Sequence, residues 1–295
     1  MNRDITLEEL DIVLFHDNCS DGLTSAFIFK YYCEKIGKNI DIYPSDHFGV
    51  NIDKNNLIGK NVIMVDLCST NFEELHDICN KFYVLDHHKT NSEKMKNKDY
   101  CYLNINKSGC TLALEYCDPH KNIEFINLIE DRDLFKSLYL NTNDFTMYYY
   151  ENVFKSKNYE LFKQLIYDDD TIDKPLLNLF IDKGKDLNTD KNRIILSLSN
   201  KIIIQKIIFN NNEYKIIKFN KCPKYLRADF GYYCMLNYDI DFVVLYYHDK
   251  YTGKWVMNLK SIDIKTDTTS LGGKGHRNAS KIMTDIHPNE YFKTI

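Results

Sequence analysis

The 295-residue chain is poor in arginine: Arg3, Arg132, Arg193, Arg227 and Arg277 are all it has, and lysine supplies the rest of its 38 basic side chains. An arginine beside a motif is therefore informative. Excess charge of either sign is also missing. The formal net charge of -4 excludes a strongly basic nucleic-acid coat and an acidic tail. No apolar run approaches the roughly 18 to 20 residues that a bilayer span needs, and no charged-then-apolar leader opens the sequence. The nine cysteines contain no CxxC pair, so they read as reduced, mostly buried thiols, and the expected compartment is the cytoplasm. Fixed-period repeats and long low-complexity segments are absent as well. Apolar surface is plentiful, at 44% hydrophobic and 14% aromatic residues. That excludes a disordered chain, and the length suits two compact domains.

The first 135 residues alternate short apolar runs with longer helical stretches, the pattern of a parallel sheet covered by helices. Ile12-Val13-Leu14-Phe15, residues 40–43, Val62-Ile63-Met64-Val65 and Phe82-Tyr83-Val84-Leu85 read as strands. Residues 109–135 read as helical, and so does a connector over about 145–190 that includes the acidic run Asp168-Asp169-Asp170, taken as solvated. From about 195 the apolar runs 202–208, 214–219, 242–247 and 254–259 alternate with turn signals such as Asn210-Asn211-Asn212. The fold class is therefore α/β, a parallel-sheet domain followed by a smaller β-rich one.

Polar residues stand at the ends of three of these strands. Strand one closes in Phe15-His16, the third in Val65-Asp66 and the fourth in Leu85-Asp86-His87-His88, with Asp21 and Asp131 nearby in the pattern. In an open parallel sheet the ligand crevice lies outside the carboxyl ends of the strands. Histidine plus carboxylate, without clustered thiolates, is a ligand set for a hard to borderline divalent ion such as Mn²⁺ or Mg²⁺. Carboxylates also bridge, so one or two ions fit this set. Paired ions stabilise the attacking and leaving oxygens of an in-line phosphoryl displacement, which makes hydrolysis of a phosphate ester the expected chemistry.

Five blocks carry a resemblance: His16-Asp17-Asn18-Cys19-Ser20-Asp21-Gly22, the strand-end Asp66, Val84-Leu85-Asp86-His87-His88, Asp131-Arg132-Asp133, and Gly272-Gly273-Lys274-Gly275-His276-Arg277-Asn278-Ala279-Ser280. In this order the chain resembles a DHH-superfamily phosphoesterase over residues 12–280, and the last block is similar to the glycine-rich signature of the DHH-associated C-terminal domain. The resemblance implies a DHH catalytic domain over 1–140, a helical connector over 141–194 and a substrate-binding domain over 195–295, with the active site in the cleft between the domains. It implies that His16, Asp21, Asp66, His87 and Asp131 hold manganese, with Asp66 bridging and Asp133 as the alternative to Asp131. Asp86 would orient the neighbouring histidine, and His88 would face the scissile phosphate. His276 and Arg277 would stabilise the anion, with Gly273, Gly275, Lys260 and Ser261 binding substrate alongside them. Glycines bring backbone N–H groups close to a phosphate, and Lys260 stands in a segment where the family carries arginine.

Cys19 departs from the family pattern, since it occupies a position usually held by carboxylate. A thiolate is a softer ligand, which leaves the first metal position to be completed by Asp17 or Asn18, or altered in preference. The other eight cysteines read as small core residues. His47, His76, His120, His248 and His287 have no motif context and read as surface residues; Tyr148-Tyr149-Tyr150 reads as a buried helix face. The expected partner is a short oligonucleotide or a nucleotide, with neither membrane nor long duplex DNA. A cyclic-dinucleotide phosphodiesterase and a nucleotide phosphatase are alternatives on the same machinery. A catalytically degenerate nucleotide-binding protein is the alternative of another class.

Overall fold

The computed structural model describes residues 4–262 and 265–294. The first sheet is built from β1 (Ile12–His16), β2 (Asp41–Asp46), β3 (Gly49–Val50), β4 (Asn61–Val65), β5 (Lys81–Asp86) and β6 (Cys101–Leu103). Its order is β3-β2-β1-β4-β5-β6; all neighbours are parallel except the β2–β3 pair. The chain moves outward from β1 to β3 and then returns to the opposite side of β1, so β1 and β4 flank the topological switch point.

Strand side chains alternate between two apolar layers. Val13, Phe15, Ile63, Val65, Tyr83 and Leu85 join the cluster under α1 (Ser20–Lys35). Ile12, Leu14, Val62, Met64, Phe82 and Val84 face the other way, onto Leu75 of α2 (Phe72–Ile78) and Met95 of α3 (Ser92–Met95). Burial on both faces explains why these strands read as unbroken apolar runs. The stretch read as helical over 109–135 forms α4 (Gly109–Cys117) and α5 (Glu124–Leu134). Asp118 adopts φ -146° and ψ 90° before Pro119, which disfavours helical backbone in the residue ahead of it.

The expected connector is not a separate piece. It contains α6 (Thr142–Tyr149), a π-helical turn over Tyr150–Phe154, α7 (Tyr159–Asp169) and α8 (Pro175–Ser199). Phe145, Tyr149, Val153, Phe162, Leu165, Leu177 and Phe180 are buried in the cluster that also holds Phe27 of α1. The Thr24 and Tyr149 hydroxyls are 2.7 Å apart, and the Phe27 and Phe162 rings are 5.4 Å apart between centroids. Asp168, expected in solvent, is buried and accepts from the N–H groups of Leu176 (3.0 Å) and Leu177 (2.7 Å) at the start of α8. Two compact units result: residues up to Asp133 with Tyr139–Lys185, and Leu134–Leu138 with the residues from Asp186 onward.

The second unit carries β7 (Ile204–Phe209), β8 (Asn212–Phe219), β9 (Phe242–His248), β10 (Trp255–Lys260), β11 (Lys274–His276) and β12 (Ala279–Thr284) in the order β11-β12-β10-β9-β8-β7. Only β8 and β9 pair in parallel. One face packs on α9 (Arg227–Asn237) through Phe230 and Cys234, and the other buries Phe292, which follows α10 (Pro288–Tyr291). All nine cysteines are free thiols. Among the described residues no helix is long and apolar enough to cross a membrane.

Candidate metal centre

The carboxyl ends of β1, β4 and β5 bring His16, Asp66, Asp86, His87 and His88 to one edge. Asp66 follows β4 with φ +59°, a left-handed conformation that aspartate tolerates better than most residues, and its N–H donates to the Leu85 carbonyl at 2.9 Å. The first turn of α1 contributes Asp21. Its Oδ2 accepts from the Gly109 N–H (2.6 Å) and its Oδ1 from the Cys110 N–H (2.8 Å), so a buried carboxylate sits on the N-terminus of α4. Two glycines make this convergence possible. A Cβ on Gly22 would lie 2.4 Å from the His16 carbonyl oxygen, and one on Gly109 would lie 2.5 Å from the Asp66 Cβ.

Three carboxylates surround one imidazole nitrogen. His87 Nε2 is 2.8 Å from Asp66 Oδ1, 3.6 Å from Asp21 Oδ2 and 3.6 Å from Asp133 Oδ2. Burial by itself would lower the His87 pKa, but the hydrogen bond to Asp66, then the charges of Asp133, Asp66 and Asp21, push it up to about 10. Burial, then the charges of Asp66 and Asp133, push Asp21 up to about 8. Burial opposes ionisation of Asp66 too, yet the His16 and His87 imidazoles beside it hold it well below the usual carboxylate range. The cluster therefore holds positive charge as protons where a cation would serve.

The donor set fits a divalent ion. Ligand atoms of Asp21, Asp66 and His87 lie within 4.8 Å of one another, as do those of His16, Cys19 and Asp66. His16 Nδ1 and Asp66 Oδ2 are buried without hydrogen-bond partners and face each other at 3.4 Å. Cys19, which stands where the resemblance expects a carboxylate, is one of the second group. Asp17 and Asn18, the expected substitutes, bond each other at the surface at 2.9 Å. Burial, followed by the charges of Asp66, Asp133 and Asp21, pushes the Cys19 thiol far up, so it is protonated in the metal-free protein.

Of the two carboxylates weighed for this position, Asp133 and not Asp131 lies beside His87. Asp131 Oδ2 accepts from the Thr142 hydroxyl and from the Tyr139 N–H at 3.4 Å, whereas Asp133 approaches His87. Two residues apart on a helix are turned by about 200°, so one face of α5 presents one of them. Asp86 Oδ1 accepts from the His87 N–H (2.8 Å) and from His88 Nδ1 (2.8 Å), and Oδ2 accepts from Asn91 Nδ2 (2.6 Å). It thus orients the His88 ring, and reaches His87 only through its backbone. His47 is exposed, as read from the sequence, and its ring packs 4.7 Å from that of His16 and 5.6 Å from that of His88. It follows β2 directly, so extending the strand-end argument to β2 would have found it.

The pKa shifts set a pH dependence. Asp21 and His87 are both raised above their unfolded values of about 3.9 and 6.5. The native state therefore binds more protons, and the stability these groups contribute is lost as pH rises through about 8 and about 10. A metal ion takes the place of those protons. The stabilisation by Mn²⁺ over chelator, followed as melting temperature, is expected to grow between about pH 6 and 9; a gain that shrinks over that interval would overturn the ligand assignment.

The glycine-rich block of the second unit forms the hairpin of β11 and β12. A Cβ on Gly273 would lie 2.0 Å from the Ser280 Oγ, and Gly275 has φ +134°, so both glycines serve the packing of the hairpin. His276 is half-buried at its end and Arg277 lies in its turn. Lys260 Nζ sits 4.3 Å from the centre of the Phe135 ring. Ser261 is buried, with its hydroxyl donating to the Asp241 carbonyl at 3.2 Å.

A family profile described as the DHH family, N-terminal domain, matches residues 11–140. An uncharacterized protein of Acanthamoeba polyphaga mimivirus is 30% identical over 302 aligned positions, covering 92% of this chain and 67% of that protein. Among solved structures, the DHH domain of a member of a family of ribosomal proteins is similar with TM-score 0.58 and 14% identity, over 97% of this chain and 85% of that one. An exopolyphosphatase-related protein from Bacteroides fragilis is similar with TM-score 0.51 and 11% identity, over 96% and 89%. At these identities the two structural likenesses concern the fold.

Proposed function

The chain belongs to the DHH family, and from that membership we propose that it is a divalent-metal-dependent phosphoesterase acting on short oligonucleotides or nucleotides. The observation that carries this reading is the buried convergence of Asp21, Asp66 and Asp133 on His87 Nε2. Asp21, Asp66, His87 and Asp133 would hold one ion, and His16, Cys19 and Asp66 a second, with Asp66 shared. Manganese suits a set that mixes carboxylate, imidazole and thiol. Bound ions of this kind supply the charge neutralisation that an in-line phosphoryl displacement requires.

The residues contribute orientation and proton placement. Asp86 accepts from His88 Nδ1, which fixes the tautomer and makes Nε2 the nitrogen that meets a ligand. On the second unit, His276 and Arg277 are our assignment for contacts to a phosphate, since a guanidinium pairs with it bidentately. Lys260, packed on Phe135, would contribute charge without that geometry. A net charge of -4 favours a short substrate over long duplex DNA.

A panel of dinucleotide, five-residue RNA, cyclic dinucleotide and 3′,5′-bisphosphate nucleotide, assayed with Mn²⁺ and with chelator, tests the proposal. Metal-dependent cleavage that disappears in His87→Ala is the expected result. Folded wild-type protein that cleaves none of them at any Mn²⁺ concentration would overturn it in favour of a nucleotide-binding protein, the reading that Cys19 motivates.

A further inference from the structure

We propose that His88 and His47 bring two further imidazoles to the ion held at His16, so that His16, His47 and His88 together make this position selective for a borderline ion such as Mn²⁺ or Co²⁺ over Mg²⁺. The inference rests on the metal dependence proposed above and adds a ligand that the DHH motifs do not contain.

The argument begins with geometry. Nitrogen atoms of the three histidines lie within 4.8 Å of one another. Ring centroids are 4.7, 5.6 and 5.7 Å apart, and the ring planes meet at 59°, 85° and 75°. Three imidazoles that share one ion through bonds of about 2 Å have centroids roughly 5 Å apart and cannot stack. These rings meet both conditions.

The rings come from three strand ends, those of β1, β2 and β5, so no local sequence constraint brings them together. The segment carrying His47 is held on both sides. The Thr70 N–H and hydroxyl donate to the carbonyls of His47 and Phe48, each at 2.9 Å, and Asp46 Oδ1 accepts from the N–H groups of Phe48 (2.8 Å) and Gly49 (3.1 Å). A ligand whose backbone is fixed in advance loses less entropy on binding. Asp86 on His88 Nδ1 is the carboxylate–imidazole pairing that orients metal-bound histidines. Beside them, the buried Ser45 hydroxyl and His16 Nδ1 have no hydrogen-bond partner. With Cys19 in place of a carboxylate, nitrogen donors replace the missing oxygen donor, and nitrogen selects against Mg²⁺.

Titration of the full chain with Co²⁺, followed by calorimetry and by the visible ligand-field band, tests the assignment. Asp21→Asn is expected to remove the other ion and leave the band that reports this one. His47→Ala is expected to weaken that remaining position at least tenfold and shift its band, and His47→Asp, which restores a donor, to recover most of the affinity. Isotherms and spectra of His47→Ala that superpose on wild type overturn the inference, as does a wild-type chain that binds no Co²⁺. Cobalt bound through His47 in a protein that hydrolyses nothing supports the inference and removes the phosphoesterase reading instead.

Discussion

Asp66→Asn is expected to lower metal-dependent kcat/KM by about 10³-fold or more and to reduce the Mn²⁺ bound per chain. A single lost transition-state donor costs about 10²- to 10³-fold, and Asp66 belongs to both ligand sets at the edge. Asparagine is the informative replacement because the residue stands at φ +59°, which asparagine tolerates about as well as aspartate. Alanine would add backbone strain to the loss of charge. The amide still accepts from His87 through Oδ1, and Asp21 and Asp133 stay 3.6 Å from the same nitrogen, so the metal-free fold is expected to persist. Mn²⁺ stoichiometry equal to wild type in folded Asp66→Asn would show that the ion is held elsewhere.

Gly109→Ala is expected to destabilise the protein by about 3 kcal/mol, the upper end of the range for overpacking, and to weaken Mn²⁺ binding with it. Helix propensity points the opposite way, since alanine at a helix start gains up to about 1 kcal/mol over glycine. The clash decides the sign. The new Cβ would lie 2.5 Å from the Asp66 Cβ, 2.9 Å from Asp21 Oδ2 and 3.1 Å from the Asp66 Cα. The two Asp66 atoms are fixed to the backbone, and Asp21 Oδ2 is itself held by the Gly109 N–H, so relief requires moving the backbone that presents Asp66. Gly49→Ala is the control: its Cβ would meet nothing within 4 Å, and a change within about 0.5 kcal/mol is expected. Urea midpoints of the two variants measure the difference, and equal midpoints would refute the packing argument.

The metal edge is legible in the sequence because β1, β4 and β5 are buried on both faces and so announce themselves as apolar runs with a polar terminus. β2 is less clean. It carries Pro44 and an exposed Asp46, and the histidine beyond it is itself exposed. The choice between Asp131 and Asp133 depends on the rotation of α5 and on a hydroxyl eleven residues further on, in a helix that no motif marks. The β11–β12 hairpin is hidden by its glycines, which carry no strand pattern, and Ser280 and Thr268 fill the space beside Gly273. α9 escapes for a different reason. Its run of tyrosine and phenylalanine is as compatible with a strand as with a helix.

The helices after residue 140 cover α1, and α1 carries Asp21. Phe27 packs on Tyr159 and Phe162, and Thr24 meets Tyr149, so a polypeptide cut where the family profile stops would leave that face of α1 wet. Portability follows from this. The smallest segment that can be grafted, circularly permuted or expressed by itself with its ligands in register runs to about Lys185, and a recombination breakpoint near 140 is expected to yield aggregating, metal-blind protein.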